Sequence, residues 1–295
     1  MTIETVAILS PGDMGHAVGR ALGEHGLDVI TCLKGRSERT RTLARQGNFR
    51  DVPSLEEMVS QADLVMSILV PAQASGLARQ VAEALKSTDA DTLFADCNAV
   101  SPDTTRRAGE EIARAGADYI DGGIIGPPPG EGAPPRFYVS GPGAGLMSGL
   151  DGMGITVRPI GDEIGRASGI KMCYASMTKG TLALQTAVFT TAEALGLTAV
   201  LRAELMESRE ALYNQIETGT RRLPSVSARF IGEMEEIAAT YAAAGVTPKF
   251  HQGAIDVYRL LVSTPLAEET SETIDQNRTL EEAVKIFARH LPMKE

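Results

Sequence analysis

The chain has 295 residues, 43% hydrophobic and 22% charged, enough for one large or two ordinary domains with a sizeable core. A formal charge of −10, 4% aromatic residues and no tryptophan argue against a nucleic-acid partner, because such a chain repels a polyphosphate and offers few stacking side chains. No run approaches the roughly 20 apolar residues that cross a bilayer, MTIETVAIL lacks the basic start and cleavage site of a signal peptide, and Cys32, Cys97 and Cys173 are scattered as in a reducing compartment, so a cytoplasmic protein off the membrane is expected.

In chain order, the first half alternates between β-rich runs and helical patterns. Strands are predicted at Thr5–Leu9, Leu27–Leu33, Ala62–Val70, Asp91–Cys97 and Ala117–Ile125. Helices are predicted at Met14–His25, Glu38–Gln46, Leu55–Gln61, Ala72–Leu85 and Pro102–Ala115. Ser54, with Glu57 three residues on, and Ser101, before Pro102, carry helix-start chemistry. This alternation implies a parallel, doubly wound sheet of the Rossmann type. Two further strands, Arg136–Gly141 and Gly154–Gly161, complete it after the Pro-rich loop Gly126–Pro135.

From Glu163 the pattern becomes helical. The run to Gly196 is small and apolar on most sides, about 30 residues or ~45 Å if it is one helix, and buried on most sides. Helices follow at Arg202–Gly219, Val226–Ala244, Gly253–Ser263 and Leu280–His290. The expected organisation is therefore α/β: a nucleotide-binding domain over residues 1–162 and an all-α substrate and dimerisation domain over 163–295. A helical half of this kind completes its core against a second copy, so a homodimer is expected.

Candidate chemistry begins at the first turn. After Thr5–Leu9 come Ser10, Pro11, Gly12, Asp13, Met14 and Gly15, then a helix, the context of a dinucleotide fingerprint. Gly12 lets backbone approach a pyrophosphate, Gly15 lets the helix lie close to the sheet, and the helix N-terminus offers amide donors. Ser10 replaces the first glycine, and a strand–helix turn without a ligand is the plain alternative. At the end of the second strand no acid stands ready for a ribose 2′-hydroxyl. Lys34, Arg36, Ser37 and Arg39 stand there instead, which suits a 2′-phosphate and favours NADP(H) over NAD(H). The four histidines show no metal-ligand spacing and no metal is expected.

These motifs, in this order, resemble the β-hydroxyacid dehydrogenase and 6-phosphogluconate dehydrogenase superfamily, with a C-terminal part like that of a branch with a short all-helical domain. AILSPGDMGHAVGRAL resembles its opening motif, with Met14 and Gly15 retained. Ser67–Ala74 resembles the strand end placed beside the cofactor, which implies Leu69, Val70 and Pro71 as cofactor contacts. Ala95–Thr104 resembles a D-x-S-T-x-S-P segment with Asn98 and Ala99 in place of Ser-Thr, implying Asn98 at cofactor and substrate. Tyr119–Pro129 resembles the substrate motif, implying Gly123, Ile124, Ile125 and Gly126 at the substrate. Ile160–Gly180 resembles the catalytic segment, with Gly165 and Lys171 at the family spacing, implying Lys171 as the catalytic residue.

The residues themselves agree: a lysine among small apolar neighbours on a buried helix has its ammonium pKa depressed and can exchange a proton during hydride transfer. A lysine reaching out from a helix edge is the alternative. Tyr174 and Ala175 stand where the family carries asparagines, and Ile125 where it carries a serine, so the usual carboxylate anchors are missing. Tyr174 is either a hydrogen-bonding group one turn from Lys171 or core, and Thr178 is expected to face the same cleft. The sequence thus points to an NADP(H)-dependent oxidoreductase acting at a carbonyl or alcohol carbon of a small molecule. Imine reduction, a non-redox lyase-type reaction on the same scaffold and a non-catalytic NADP(H) sensor remain as alternatives.

Overall fold

The computed structural model describes residues 2–270 and 273–292. Eight strands form one sheet: β1 (Thr5–Leu9), β2 (Asp28–Thr31), β3 (Arg50–Asp51), β4 (Leu64–Ser67), β5 (Leu93–Asp96), β6 (Tyr119–Ile125), β7 (Arg136–Ser140) and β8 (Thr156–Pro159). Their order across the sheet is β3-β2-β1-β4-β5-β6-β7-β8. All neighbours are parallel except β6 and β7, which pair antiparallel from Asp121 opposite Ser140 to Ile125 opposite Arg136. That one reversal departs from the all-parallel expectation for a geometric reason. The loop of Gly126–Pro135 is shorter than the dozen or more residues a parallel crossover needs, so the chain returns as a hairpin.

Alternate side chains of each strand point to opposite faces. Val6 and Ile8 of β1 enter one core with Val18, Met66, Ile120 and Phe137. Ala7 and Leu9 enter the other with Ile30, Val65, Phe94 and Tyr119. Both faces are covered by helices α1 (Asp13–Glu24), α2 (Glu38–Gln46), α3 (Leu55–Gln61), α4 (Pro71–Thr88) and α5 (Pro102–Ala113), which makes the sheet doubly wound. Ser54 accepts from the Glu57 amide and Ser101 from the Thr104 amide, as capping residues do. Strands are two or three residues shorter than their hydrophobic runs at several ends, because the runs continue into loops packed on the core. The short edge strand β3 carries no apolar residue that would have marked it in sequence.

After the sheet the chain is helical: α6 (Arg166–Ala175), α7 (Thr181–Ala194), α8 (Thr198–Ser208), α9 (Glu210–Arg221), α10 (Leu223–Ala243), α11 (Lys249–Val262) and α12 (Leu280–Arg289). The single long helix expected from Glu163 to Gly196 is interrupted by a π-helical segment, Ser176–Gly180. The helix expected over Arg202–Gly219 is two helices that meet at Arg209, whose backbone (φ −150°, ψ 50°) is not helical. The chain divides into two compact units, Met1–Tyr174 and Ala175–Glu295, so the division falls near the end of α6. In the second unit Phe189, Tyr213, Phe230, Met234, Tyr258 and Phe287 are buried. No helix of the described residues is long and apolar enough to cross a membrane.

Candidate active site

The first turn has the form that a phosphate-binding loop requires. Ser10 sits at φ +59°, the left-handed region where a glycine is at ease and an L-residue is strained. That conformation explains why a glycine is the ordinary occupant and shows that the turn keeps its shape without one. Gly12 is the N-cap of α1 and makes no side-chain cap, so the first amides of the helix lack an internal acceptor. A side chain added at Gly12 would meet only the Ser10 carbonyl, at 4.0 Å, which leaves open space over those amides. At Gly15 an added Cβ would lie 3.2 Å from Ile8 Cγ2, so this glycine sets how closely α1 packs on β1. The open cradle, uncapped donors and close-packed helix fit a dinucleotide pyrophosphate.

Beyond β2, two adjoining hollows of about 320 and 260 Å³ share Arg36 and Gln80. One is lined by Leu69, Gln73, Gly76 and Leu77; the other by Cys32, Lys34, Ser54, Leu55 and Glu56. Of the four residues expected at a 2′-phosphate, Lys34 and Arg36 line this cleft. The other two have local partners. Ser37 caps α2 by accepting from the Thr40 amide, and Arg39 ion-pairs with Asp13 at the surface. Arg41, which sequence reasoning did not single out, donates to the Leu33 carbonyl at 2.6 Å and braces the turn that carries Lys34 and Arg36. Glu56 faces the same hollow, and hydrogen bonds to its own amide and to Ser54, then the charge of Lys34, hold its carboxyl below the usual range.

Asn98 is buried and fully engaged. Its side chain accepts from the Leu69 amide at 2.6 Å and donates to Ser67 Oγ at 2.8 Å, and its own amide donates to Asp96 Oδ1 at 3.0 Å. It thereby ties the ends of β4 and β5 together and sets the segment Leu69, Val70, Pro71 that opens α4. Val70 is exposed and Pro71 is the first helical residue. Asp96 itself is pushed up to about 6, chiefly by burial, with the charge of Asp121 acting in the same direction.

Lys171 is brought to the carboxyl end of β6. Its Nζ donates to the Ile124 carbonyl at 2.6 Å. Gly123 permits that approach, because a Cβ there would lie 2.5 Å from the Ala167 carbonyl and 3.0 Å from Lys171 Cβ. Ile124 and Ile125 are buried, and Gly126 turns the chain away at φ +127°. Strands β1, β4, β5 and β6 are mutually parallel, so the Ser10–Gly15 turn and the Lys171–Ile124 contact lie at the same edge of the sheet. Three inter-strand steps separate them, about 14 Å at the usual spacing. Ligands of open α/β sheets bind along this edge. Tyr174 is 45% exposed, which sets it apart from the core reading. Thr178 belongs to the π segment of the helical unit, where its Oγ1 donates to the Ala175 carbonyl.

Three comparisons place the chain. Residues 5–147 match the NAD-binding domain of 6-phosphogluconate dehydrogenase, and residues 192–261 match a domain described only as of unknown function. An uncharacterised 28.5 kDa protein of Methanothermus fervidus is 29% identical over 184 residues, which are 62% of this chain and 69% of that one. A conserved protein whose structure was described as similar to 3-hydroxyacid dehydrogenases shares 27% identity, over 87% of this chain and 96% of its own, with a TM-score of 0.66. A conserved hypothetical protein of Sinorhizobium meliloti has the same fold at 23% identity, over 99% and 97% of the two chains, with a TM-score of 0.70. The matched first domain, the doubly wound sheet and the cradle at Gly12 lead to one conclusion: residues 5–147 form a Rossmann-type NAD(P)-binding domain related to that of 6-phosphogluconate and 3-hydroxyacid dehydrogenases, a scaffold of NAD(P)-dependent oxidoreductases.

Proposed function

We propose that the protein is an NADP(H)-dependent oxidoreductase that acts at a carbonyl or alcohol carbon of a small molecule, with Lys171 as the group that gives or takes the proton. The observation that carries this reading is the ammonium of Lys171 held against the Ile124 carbonyl, at the edge of the sheet that also bears the cradle. Gly12, Asp13, Met14 and Gly15 would hold the pyrophosphate, Ser10 and Pro11 its turn, and Leu69, Val70 and Pro71 the strand end beside it. Lys34 and Arg36 would meet a 2′-phosphate. The nicotinamide, when bound, supplies or accepts a hydride. Lys171 Nζ is an ammonium donor at the carboxyl end of β6, the type of group that can meet a substrate oxygen. Substrate reduction calls for a proton on that oxygen and oxidation for its removal, and an amine at hydrogen-bond distance serves both directions.

The test is turnover followed at 340 nm on a panel of carbonyl compounds, alcohols and imines, comparing wild type with Lys171→Met. Turnover that survives the substitution would end the assignment. Product without a change in absorbance would favour the non-redox reading, and tight NADPH binding without any product the sensor. Reduction of a C=N bond is favoured as second reading by one feature: Ile125, buried and apolar at the end of β6, stands where the family carries a serine, so a carboxylate-free substrate fits.

We further propose a homodimer formed through the helical unit. Leu184, Val200 and Phe250 are at least 65% exposed there, and a groove of about 460 Å³ between α7 and α11 lies beside Phe250. An apolar knob next to an apolar groove on one face suits a two-fold contact. Sedimentation of wild type against Phe250→Glu tests it, with a monomeric variant expected.

A further inference from the structure

Resting on the reading of Lys171 as proton carrier, we propose that Asp121 is the positioning residue for that lysine: its carboxylate clamps the first turn of α6 to strand β6 and so fixes where the amine stands. Asp121 is fully buried at the middle of the sheet. Its Oδ2 accepts from the Gly165 amide at 2.9 Å, the Ser168 amide at 3.1 Å and Ser140 Oγ at 2.9 Å. Its Oδ1 accepts from Ser168 Oγ at 2.6 Å and Thr105 Oγ1 at 3.3 Å. Ser140 in turn accepts from the Ala167 amide at 3.1 Å. The amides of 165, 167 and 168 are among those a helix start leaves without intrahelical acceptors, and two adjacent strands take all three.

The clamp transmits to the lysine through one rigid turn. Lys171 follows Ser168 by three residues and Ala167 by four, so it lies on the same helix face, above the clamped turn. Gly123, two residues along β6 from Asp121, lets that face touch the strand backbone. Ile124, the next residue, takes the ammonium. One strand therefore sets the height of α6 at 121, its closeness at 123 and the end of the lysine at 124. Gly165 completes the device. It sits at φ +105°, and an added Cβ would lie 3.0 Å from the guanidinium of Arg106, so the chain enters α6 by one fixed route.

A substrate is not needed to test this. The amines of wild type, Asp121→Asn and Ser168→Ala are labelled with an acylating reagent, and the rate at each lysine is followed by mass spectrometry. Asparagine turns one acceptor oxygen into a donor and faces the helix amides with it. Alanine removes only the Ser168 hydroxyl. Lys171 should then label about tenfold faster in Asp121→Asn and about threefold faster in Ser168→Ala, as local opening of the first turn frees it. Lys179 is the internal control, because it is partly buried like Lys171 and general loosening of the protein would speed both. Where Asp121→Asn does not fold, Ser168→Ala decides alone. A Lys171 rate unchanged relative to Lys179 in the folded variants overturns the clamp. Lys171→Met retaining full turnover overturns the proton-carrier reading instead, so the two failures are distinct.

Discussion

Asp121 in the nucleotide-binding unit and Glu233 in the helical unit are both buried acids, and the two units satisfy them by different means. Asp121 is surrounded by neutral donors, two amides and three hydroxyls, whose directions are set by the start of α6, by α5 and by the neighbouring strand β7. Glu233 on α10 is satisfied by charge. It pairs with Lys179 of the π segment and with Arg229, and the Lys179 ammonium also lies 4.6 Å from the centre of the Phe230 ring. Directional bonds to fixed groups place a residue to a few tenths of an ångström, whereas an ion pair between long side chains holds elements together without fixing them as finely. The unit with the directional network is the one that carries Lys171.

The sharpest way to break this contrast is Lys171→Met. Turnover should fall by about 10³-fold, the scale of a lost proton-transfer group, while calorimetry shows NADPH affinity unchanged. Next in size, Glu233→Gln takes a buried carboxylate away from the Lys179 ammonium, since these side chains are 8% and 15% exposed. A loss of about 3 kcal/mol in urea unfolding is expected, with NADPH affinity intact because the loss falls in the helical unit. A third test uses Asp96. Its carboxyl titrates near 6 in the folded protein, above the ordinary value of 3.8, so the folded state holds its proton more tightly than the unfolded chain. Its contribution is therefore full below about pH 4 and is lost as pH rises through 6, on the order of 3 kcal/mol in all. Chemical unfolding at pH 4, 5, 6 and 7 should show that decline in wild type and a flatter profile in Asp96→Asn. Smaller again, Arg36→Ala should weaken NADPH binding about tenfold and leave NADH untouched, read by calorimetry with each cofactor.

How much of this was legible in the sequence follows the same division. The order of strands and helices in the first unit was readable because period-two and period-3.6 patterns alternate there with capping residues at Ser54 and Ser101. The turn at Ser10–Gly15 was readable despite its missing glycine, because strand, turn and helix stood in order. Lys171 is marked by the family resemblance, and the strand that holds it lies in the motif Tyr119–Pro129. The clamp was not read, although a lone acid inside the fully buried run Tyr119–Ile125 was a signal for it: such a group must find donors. Which donors it finds depends on where β7 and α6 come to lie, 19 and 44 residues further along the chain. The π segment and the break at Arg209 were hidden for a related reason. Both sit inside longer stretches that read as helical, and at the π segment the departure coincides with tertiary contacts. At Lys179 the carbonyl takes the Tyr258 hydroxyl at 2.7 Å while the side chain meets Glu233.

The serine that opens the nucleotide loop has a consequence for stability, because it holds φ +59° where a glycine would be at ease. A non-glycine residue in that backbone region costs on the order of 1 kcal/mol, so Ser10→Gly should raise the melting temperature by a few degrees. Measuring NADPH affinity on Ser10→Gly beside its melting temperature separates what the hydroxyl contributes to a ligand from what the strained backbone costs the fold.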